Sequence, residues 1–175
     1  LAGGGSLFVM PSADERVAIT KLITFVPDNA QRGLPAIQGD VLVFDTRDGR
    51  RQHILHGPTV TARRTAAVSL LAAMELAPQP KGKLLIVGAG VQGRSHLEAF
   101  VQGLGVREVL VASRSRSSAY ALVAHARSLG VQAERTDDPD AALAECTLVV
   151  SCTSAQEVAL RGMPRIDVAQ LVTEQ

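Results

Sequence analysis

Residues 83–93 read KLLIV followed by Gly88-Ala89-Gly90-Val91-Gln92-Gly93, and no other stretch of the chain restricts the fold so tightly. A continuous apolar run suits a strand buried on both faces of a parallel sheet. The residues after it, Gln92 to Gly103, have helical character, so the glycines fall at a strand-to-helix turn. In G-x-G-x-x-G the glycines serve different ends. Gly88 permits the tight turn, Gly90 lets a phosphate chain approach the backbone, and Gly93 packs the helix against the strand. The free N–H groups and dipole at the helix start favour negative charge. A tight turn without a ligand would use the same glycines, but the strand-before, helix-after context is the one a dinucleotide requires.

From Lys83 onward strands and helices alternate. Glu108–Ala112, Val131–Glu134 and Thr147–Cys152 read as strands, and Ala119–Leu129 and Asp138–Ala144 as helices. That alternation predicts a doubly wound α/β domain of Rossmann type, of which the first half is present. The earlier third differs. Leu7–Met10, ended by Pro11, Arg16–Val26, and a hairpin of Asp40–Asp45 and Arg51–Leu55 around Asp48-Gly49 predict an antiparallel β unit. Between them, Ala62, Ala66, Leu70, Ala73 and Leu76 or Ala77 recur at helical spacing, which predicts a linking helix ended by Pro78 and Pro80. The expected domains are therefore 1–80, a smaller antiparallel β domain with its linking helix, and 81–175, the Rossmann domain.

After the second Rossmann strand an NAD site usually offers a carboxylate to the ribose hydroxyls. This chain has Ala112-Ser113-Arg114-Ser115-Arg116 instead. Arg114 suits a 2′-phosphate, with Arg116 nearby and with Ser113 and Ser115 as hydroxyl donors. The expectation is NADP(H) as preferred cofactor and NAD(H) as the alternative; solvated loop arginines would look the same. Thr153, directly after the last strand, joins the cofactor-binding candidates.

Eighteen basic and seventeen acidic residues give a net charge of +1, too small to suggest nucleic acid or an anionic membrane. No apolar run approaches the roughly 20 residues of a membrane span. His53, His56, His96 and His125 are scattered, Cys146 and Cys152 have no ligand partners at metal spacing, and no metal is expected. His96 reads as a packing or surface residue, and Asp137, Asp138 and Asp140 around Pro139 as a solvated turn with a helix cap. Two buried free thiols and no leader suggest a reducing cytoplasm.

Thr61-Ala62-Arg63-Arg64-Thr65-Ala66-Ala67, followed by the glycine motif as GAGVQ, resembles the ornithine cyclodeaminase and μ-crystallin family. Met10-Pro11, the Lys21 strand, Pro27-Asp28-Asn29, Gly33-Leu34-Pro35 and the Asp45–Gly49 turn follow in that family's order, so the resemblance runs from about Leu7 to Ser154. It implies a homodimer paired through the antiparallel domain, with a small imino or amino acid bound beside the cofactor. Members reduce cyclic imino acids, cyclise ornithine with loss of ammonia, or make alanine from pyruvate and ammonia. By the same resemblance Lys21 matches the active-site lysine, Arg64 the arginine for the substrate carboxylate and Thr65 a cofactor-phosphate contact, with Thr61 assisting. Asn29 and Gln92 are expected to line the cleft. The family's upstream arginine and its aspartate after the fourth Rossmann strand have no match here, and Asp167 does not take the aspartate's place. Together with a first residue Leu1, this suggests a fragment. The leading expectation is an NADP(H)-dependent reductase of Δ1-pyrroline-2-carboxylate or Δ1-piperideine-2-carboxylate. The alternatives are an NAD-dependent ornithine cyclodeaminase and a catalytically silent NADP(H)-binding protein.

Overall fold

The computed structural model describes Leu1 and residues 4–153; Asp167 and the rest of 154–175 lie outside the described residues. The chain divides into two units, Leu1–Arg64 and Thr65–Gln175, with the division falling inside the linking helix.

The first unit is an antiparallel meander, β1 (Ser6–Ala13), β2 (Val17–Phe25), β3 (Ile37–Asp45) and β4 (Arg51–His56), in the order β1-β2-β3-β4. Strand β1 does not stop at Pro11 but runs on to Ala13, with Pro11 opposite Thr20. An edge strand tolerates proline because one side of it needs no donor. Leu7, Phe8, Val9 and Met10 are all exposed on it. A 3-10 helix, Pro27–Arg32, joins β2 to β3. Asn29 is buried and serves this loop: its side-chain amide donates to the Pro35 carbonyl at 3.1 Å, and its own backbone carbonyl accepts from Leu34 N–H at 2.9 Å.

Asp45 staples the β3–β4 turn. Its carboxylate is buried and accepts from the Arg47 backbone N–H at 2.9 Å, from the Arg47 guanidinium at 3.0 and 2.7 Å, and from the Gln52 amide at 3.1 Å. The guanidinium hydrogen bonds, and after them the backbone one, hold the carboxyl well below its ordinary pKa. A depressed folded pKa adds stability above the unfolded value and loses it on acidification, so this contribution is intact above about pH 5 and fades below about pH 4. Asp45→Asn should therefore lower the melting temperature at neutral pH and flatten its fall in acid; an unchanged acid limb of the melting curve would contradict this.

The linking helix α1 spans Gly57–Leu76. The predicted stripe is shielded as far as Ala73: Ala62 and Ala66 are buried, Leu70 and Ala73 partly so, and of the two residues that could end it Ala77 is partly buried and Leu76 exposed, as are Val68, Leu71 and Met74.

The second unit is a parallel sheet of β5 (Leu84–Val87), β6 (Glu108–Ala112), β7 (Gln132–Arg135) and β8 (Leu148–Ser151), with helices α2 (Val91–Leu104), α3 (Arg116–Ser128) and α4 (Pro139–Ala142). All four residues of β5 are buried, as a central parallel strand requires. Leu84 and Ile86 face a core with Leu97, Phe100, Val109, Val111 and Leu122, while Leu85 and Val87 pack with Ala112 and Ala142 on the other face. Helix α3 starts three residues before the sequence suggests because Ser115 caps it, accepting from Ser118 N–H at 3.2 Å. Asp138 caps α4, accepting from Ala141 N–H at 3.0 Å, as the acidic turn predicts. The strand order is β7-β6-β5-β8. The chain builds outward from β5 through β6 to β7 and then crosses to the other side at β8. That reversal opens a crevice at the carboxyl ends of β5 and β8, where such sheets bind ligands.

Candidate cofactor-binding site

The glycine loop sits at this crevice, pinned on both sides. Gly88 N–H donates to the Ala112 carbonyl at the end of β6 at 2.8 Å, and Cys152 N–H beyond β8 donates to Val87 at 2.7 Å. Gly88 has φ +110°, and a Cβ there would lie 2.5 Å from the Cys152 carbonyl oxygen. A Cβ on Gly93 would overlap the Gly88 carbonyl oxygen. Gly90 differs from both, since a Cβ there would meet nothing within 4 Å. Packing thus explains two of the glycines, and the third borders open space where a phosphate chain would come closest. Gly90 is also the N-cap of α2 and brings no capping side chain, which leaves the first-turn N–H groups for an anion. Ala89 and Val91 complete the loop, Val91 being strongly exposed.

Gln92 adds an acceptor. Its Oε1 is shielded from solvent and has no hydrogen-bond partner among the described residues. Buried amide oxygens are rarely left so unless something else supplies the donor. Gln92 lines a groove of about 830 Å³ with Thr65 and Ser69 of α1, His96 of α2, and Cys152 and Thr153 after β8. The structure therefore brings together Thr65, Gln92 and Thr153, far apart in sequence. Burial pushes the Cys152 thiol pKa up, so this cysteine is a thiol rather than a nucleophilic thiolate.

At the end of β6, Ser113 is half-buried and Arg114 and Ser115 are exposed. Asp137, after β7, pairs with Arg135 and stands 4.0 Å from Arg116. Arg114 makes no hydrogen bond or ion pair among the described residues, so its guanidinium fork is uncommitted. The Ser115 hydroxyl, expected to meet a phosphate, also caps α3.

Lys21 and Arg64 belong to the first unit. Lys21 lies mid-strand in β2, opposite Met10 and Val41, and is half-buried; Arg64 is exposed on α1. Neither side chain makes a hydrogen bond or ion pair among the described residues. Thr61, in contrast, donates to the Gly57 carbonyl one turn back, at 2.8 Å. Ser69, which lines the groove, is not among the sequence candidates; its signal is its place one helical turn after Thr65 on the same face. Among the described residues no His, Cys, Asp and Glu cluster suits a metal, and no helix is long and apolar enough to cross a membrane.

The family model for ornithine cyclodeaminase/mu-crystallin proteins matches residues 2–163. The chain belongs to the ornithine cyclodeaminase/mu-crystallin family. The match reaches past Ser154, where the motif resemblance stops. A Delta(1)-pyrroline-2-carboxylate reductase of Burkholderia multivorans is 39% identical over 165 residues, 92% of this chain and 53% of that protein. The ketimine reductase mu-crystallin of Rattus norvegicus is 41% identical over 117 residues, 66% of this chain and 37% of that one. Among solved structures, the Thermococcus litoralis Delta(1)-pyrroline-2-carboxylate reductase in complex with NADH and L-proline superposes with a TM-score of 0.80 at 26% identity, covering 88% of this chain and 49% of that one. This chain spans about half the length of the Burkholderia and Thermococcus proteins.

Proposed function

We propose that the protein reduces a small cyclic imino acid, Δ1-pyrroline-2-carboxylate or Δ1-piperideine-2-carboxylate, to proline or pipecolate with NADP(H) as preferred cofactor. The observation that carries this reading is the glycine loop, closed by packing at Gly88 and Gly93 and open at Gly90, within a chain 39% identical to a reductase of that substrate. Gly88 to Gly93 would hold the pyrophosphate, Thr65 and Thr153 would contact the cofactor along the groove, and Ser113, Arg114 and Ser115 would meet the 2′-phosphate. Bound NADPH supplies the hydride. Arg64 would take the substrate carboxylate through a bidentate fork, and Lys21 would hold the carboxylate or deliver a proton to the imine nitrogen. Fixing the carboxylate orients the C=N carbon and removes entropy from the barrier.

The Thermococcus relative was solved with NADH, so the NADP(H) preference rests on this chain's own residues. Arg114 is uncommitted, and no carboxylate occupies 112–118. Charge-assisted hydrogen bonds contribute about 1.5–3 kcal/mol each, so Arg114→Ala should lower kcat/KM with NADPH about tenfold or more and leave NADH nearly unaffected. Equal losses with both nucleotides would contradict the assignment.

The exposed apolar strand β1 supports a homodimer paired through the first unit, and the half-buried free thiols suit a reducing cytoplasm. The reading is tested by following loss of reduced nicotinamide absorbance with each cyclic imine. Consumption of NADPH with formation of proline or pipecolate is expected. Release of ammonia from ornithine with NAD would point instead to a cyclodeaminase, and binding without turnover to a silent nucleotide-binding protein.

A further inference from the structure

We propose that His96 is a positioning residue for the dinucleotide loop, holding the first turn of α2 in the shape that receives the cofactor; this rests on the cofactor reading above. His96 is 4% exposed and lies in α2, one turn beyond Gln92. Its Nδ1 stands 2.7 Å from the Gln92 carbonyl oxygen, which can only accept, so Nδ1 carries a proton. In the neutral ring Nε2 then accepts from the Ser69 hydroxyl, at 2.9 Å. Cys152 Sγ approaches Nδ1 at 3.7 Å, and the Phe100 ring packs tilted with centroids 6.3 Å apart.

One imidazole therefore touches three segments: the glycine loop through Gln92, helix α1 through Ser69, and the end of β8 through Cys152. Each borders the groove, and Cys152 is also the residue whose carbonyl forbids a side chain on Gly88. Ser69 lies one turn after Thr65, so the same bond that anchors His96 fixes the spacing between Thr65 and Gln92 across the groove. An apolar side chain would fill this site beside Phe100 without any polar group to satisfy. A buried imidazole in that setting is useful for the geometry it imposes, because preorganising a loop lowers the ordering cost of binding. The role is specific to the loop, not to the 2′-phosphate, so it acts on NADPH and NADH alike.

The test compares the full chain with His96→Leu, His96→Asn and Ser69→Ala. NADPH and NADH are titrated by nicotinamide fluorescence, and amide hydrogen exchange is followed at 88–93 in the free proteins. His96→Leu is expected to weaken both nucleotides about tenfold, about 1.4 kcal/mol, and to speed exchange in the loop. His96→Asn keeps an N–H donor for the Gln92 carbonyl and should recover most of the affinity, with Ser69→Ala intermediate. If His96→Leu does not fold by circular dichroism, the other two variants still decide: both matching wild type in affinity and exchange would overturn the proposal. So would His96→Asn binding as poorly as a folded His96→Leu. Wild type that binds neither nucleotide would overturn the cofactor reading itself and the inference with it, whereas wild-type binding with unaffected variants would overturn the inference alone.

Discussion

Gly93→Ala is expected to destabilise the second unit by about 3 kcal/mol, toward the upper end of what overpacking costs, because its new methyl group meets backbone and not a side chain that could turn away. The obstacle is the Gly88 carbonyl oxygen, itself held by a loop pinned between β6 and β8. Helix α2 would have to lift from the loop, and nucleotide binding should be lost with it. Gly90→Ala is the informative contrast. Its methyl group meets no atom within 4 Å and its φ of −85° suits any residue, so stability should change by no more than about 1 kcal/mol. Affinity for either nucleotide should nevertheless fall at least about tenfold, because the methyl group stands where the phosphates approach. Thermal melts and nucleotide titrations on the two variants separate these effects. Equal destabilisation by both, or a Gly90→Ala protein that binds normally, would contradict the division of labour among the glycines.

Arg64→Ala should spare the fold and remove turnover. The side chain is exposed and makes no hydrogen bond or ion pair among the described residues that its loss would break. If it holds the substrate carboxylate in the transition state, losing two charge-assisted hydrogen bonds of about 1.5–3 kcal/mol each lowers kcat/KM by a factor of about 10² or more. Arg64→Lys restores charge without the fork and should recover only part of the loss. Nucleotide affinity should stay near wild type in both. A variant that keeps its kcat/KM would remove Arg64 from the substrate site, and one that loses nucleotide binding instead would move it to the cofactor.

The Rossmann unit is legible in the sequence because its signals are local. An apolar run, three spaced glycines and a regular alternation of strand and helix each follow from a few consecutive residues, and β6 matches its expected bounds to the residue. Boundaries differ where a side chain or an edge position decides them, as at Ser115, whose hydroxyl starts α3 early, and at Pro11, which β1 tolerates because only one side pairs. The site is legible in part. Gln92 and Thr153 have the residue types and places of candidates, but the groove they share also takes in Thr65, 27 positions before Gln92, and Thr153 itself lies 61 after it, a meeting that no local pattern encodes. Likewise Asn29 has the residue type of a cleft ligand, and only the path of the chain around Pro35 shows that its side-chain amide donates within its own loop. The Ser69–His96 bond joins two helices whose sequences say nothing of each other.

Whether residues 88–93 receive a dinucleotide is decided by titrating the wild-type chain with NADPH and NADH by nicotinamide fluorescence, with Gly90→Ala as control. Saturable binding by the wild type, tighter for NADPH and weakened at least about tenfold in Gly90→Ala, is the predicted result. Absence of binding by a folded wild-type chain, or equal binding by Gly90→Ala, would contradict it.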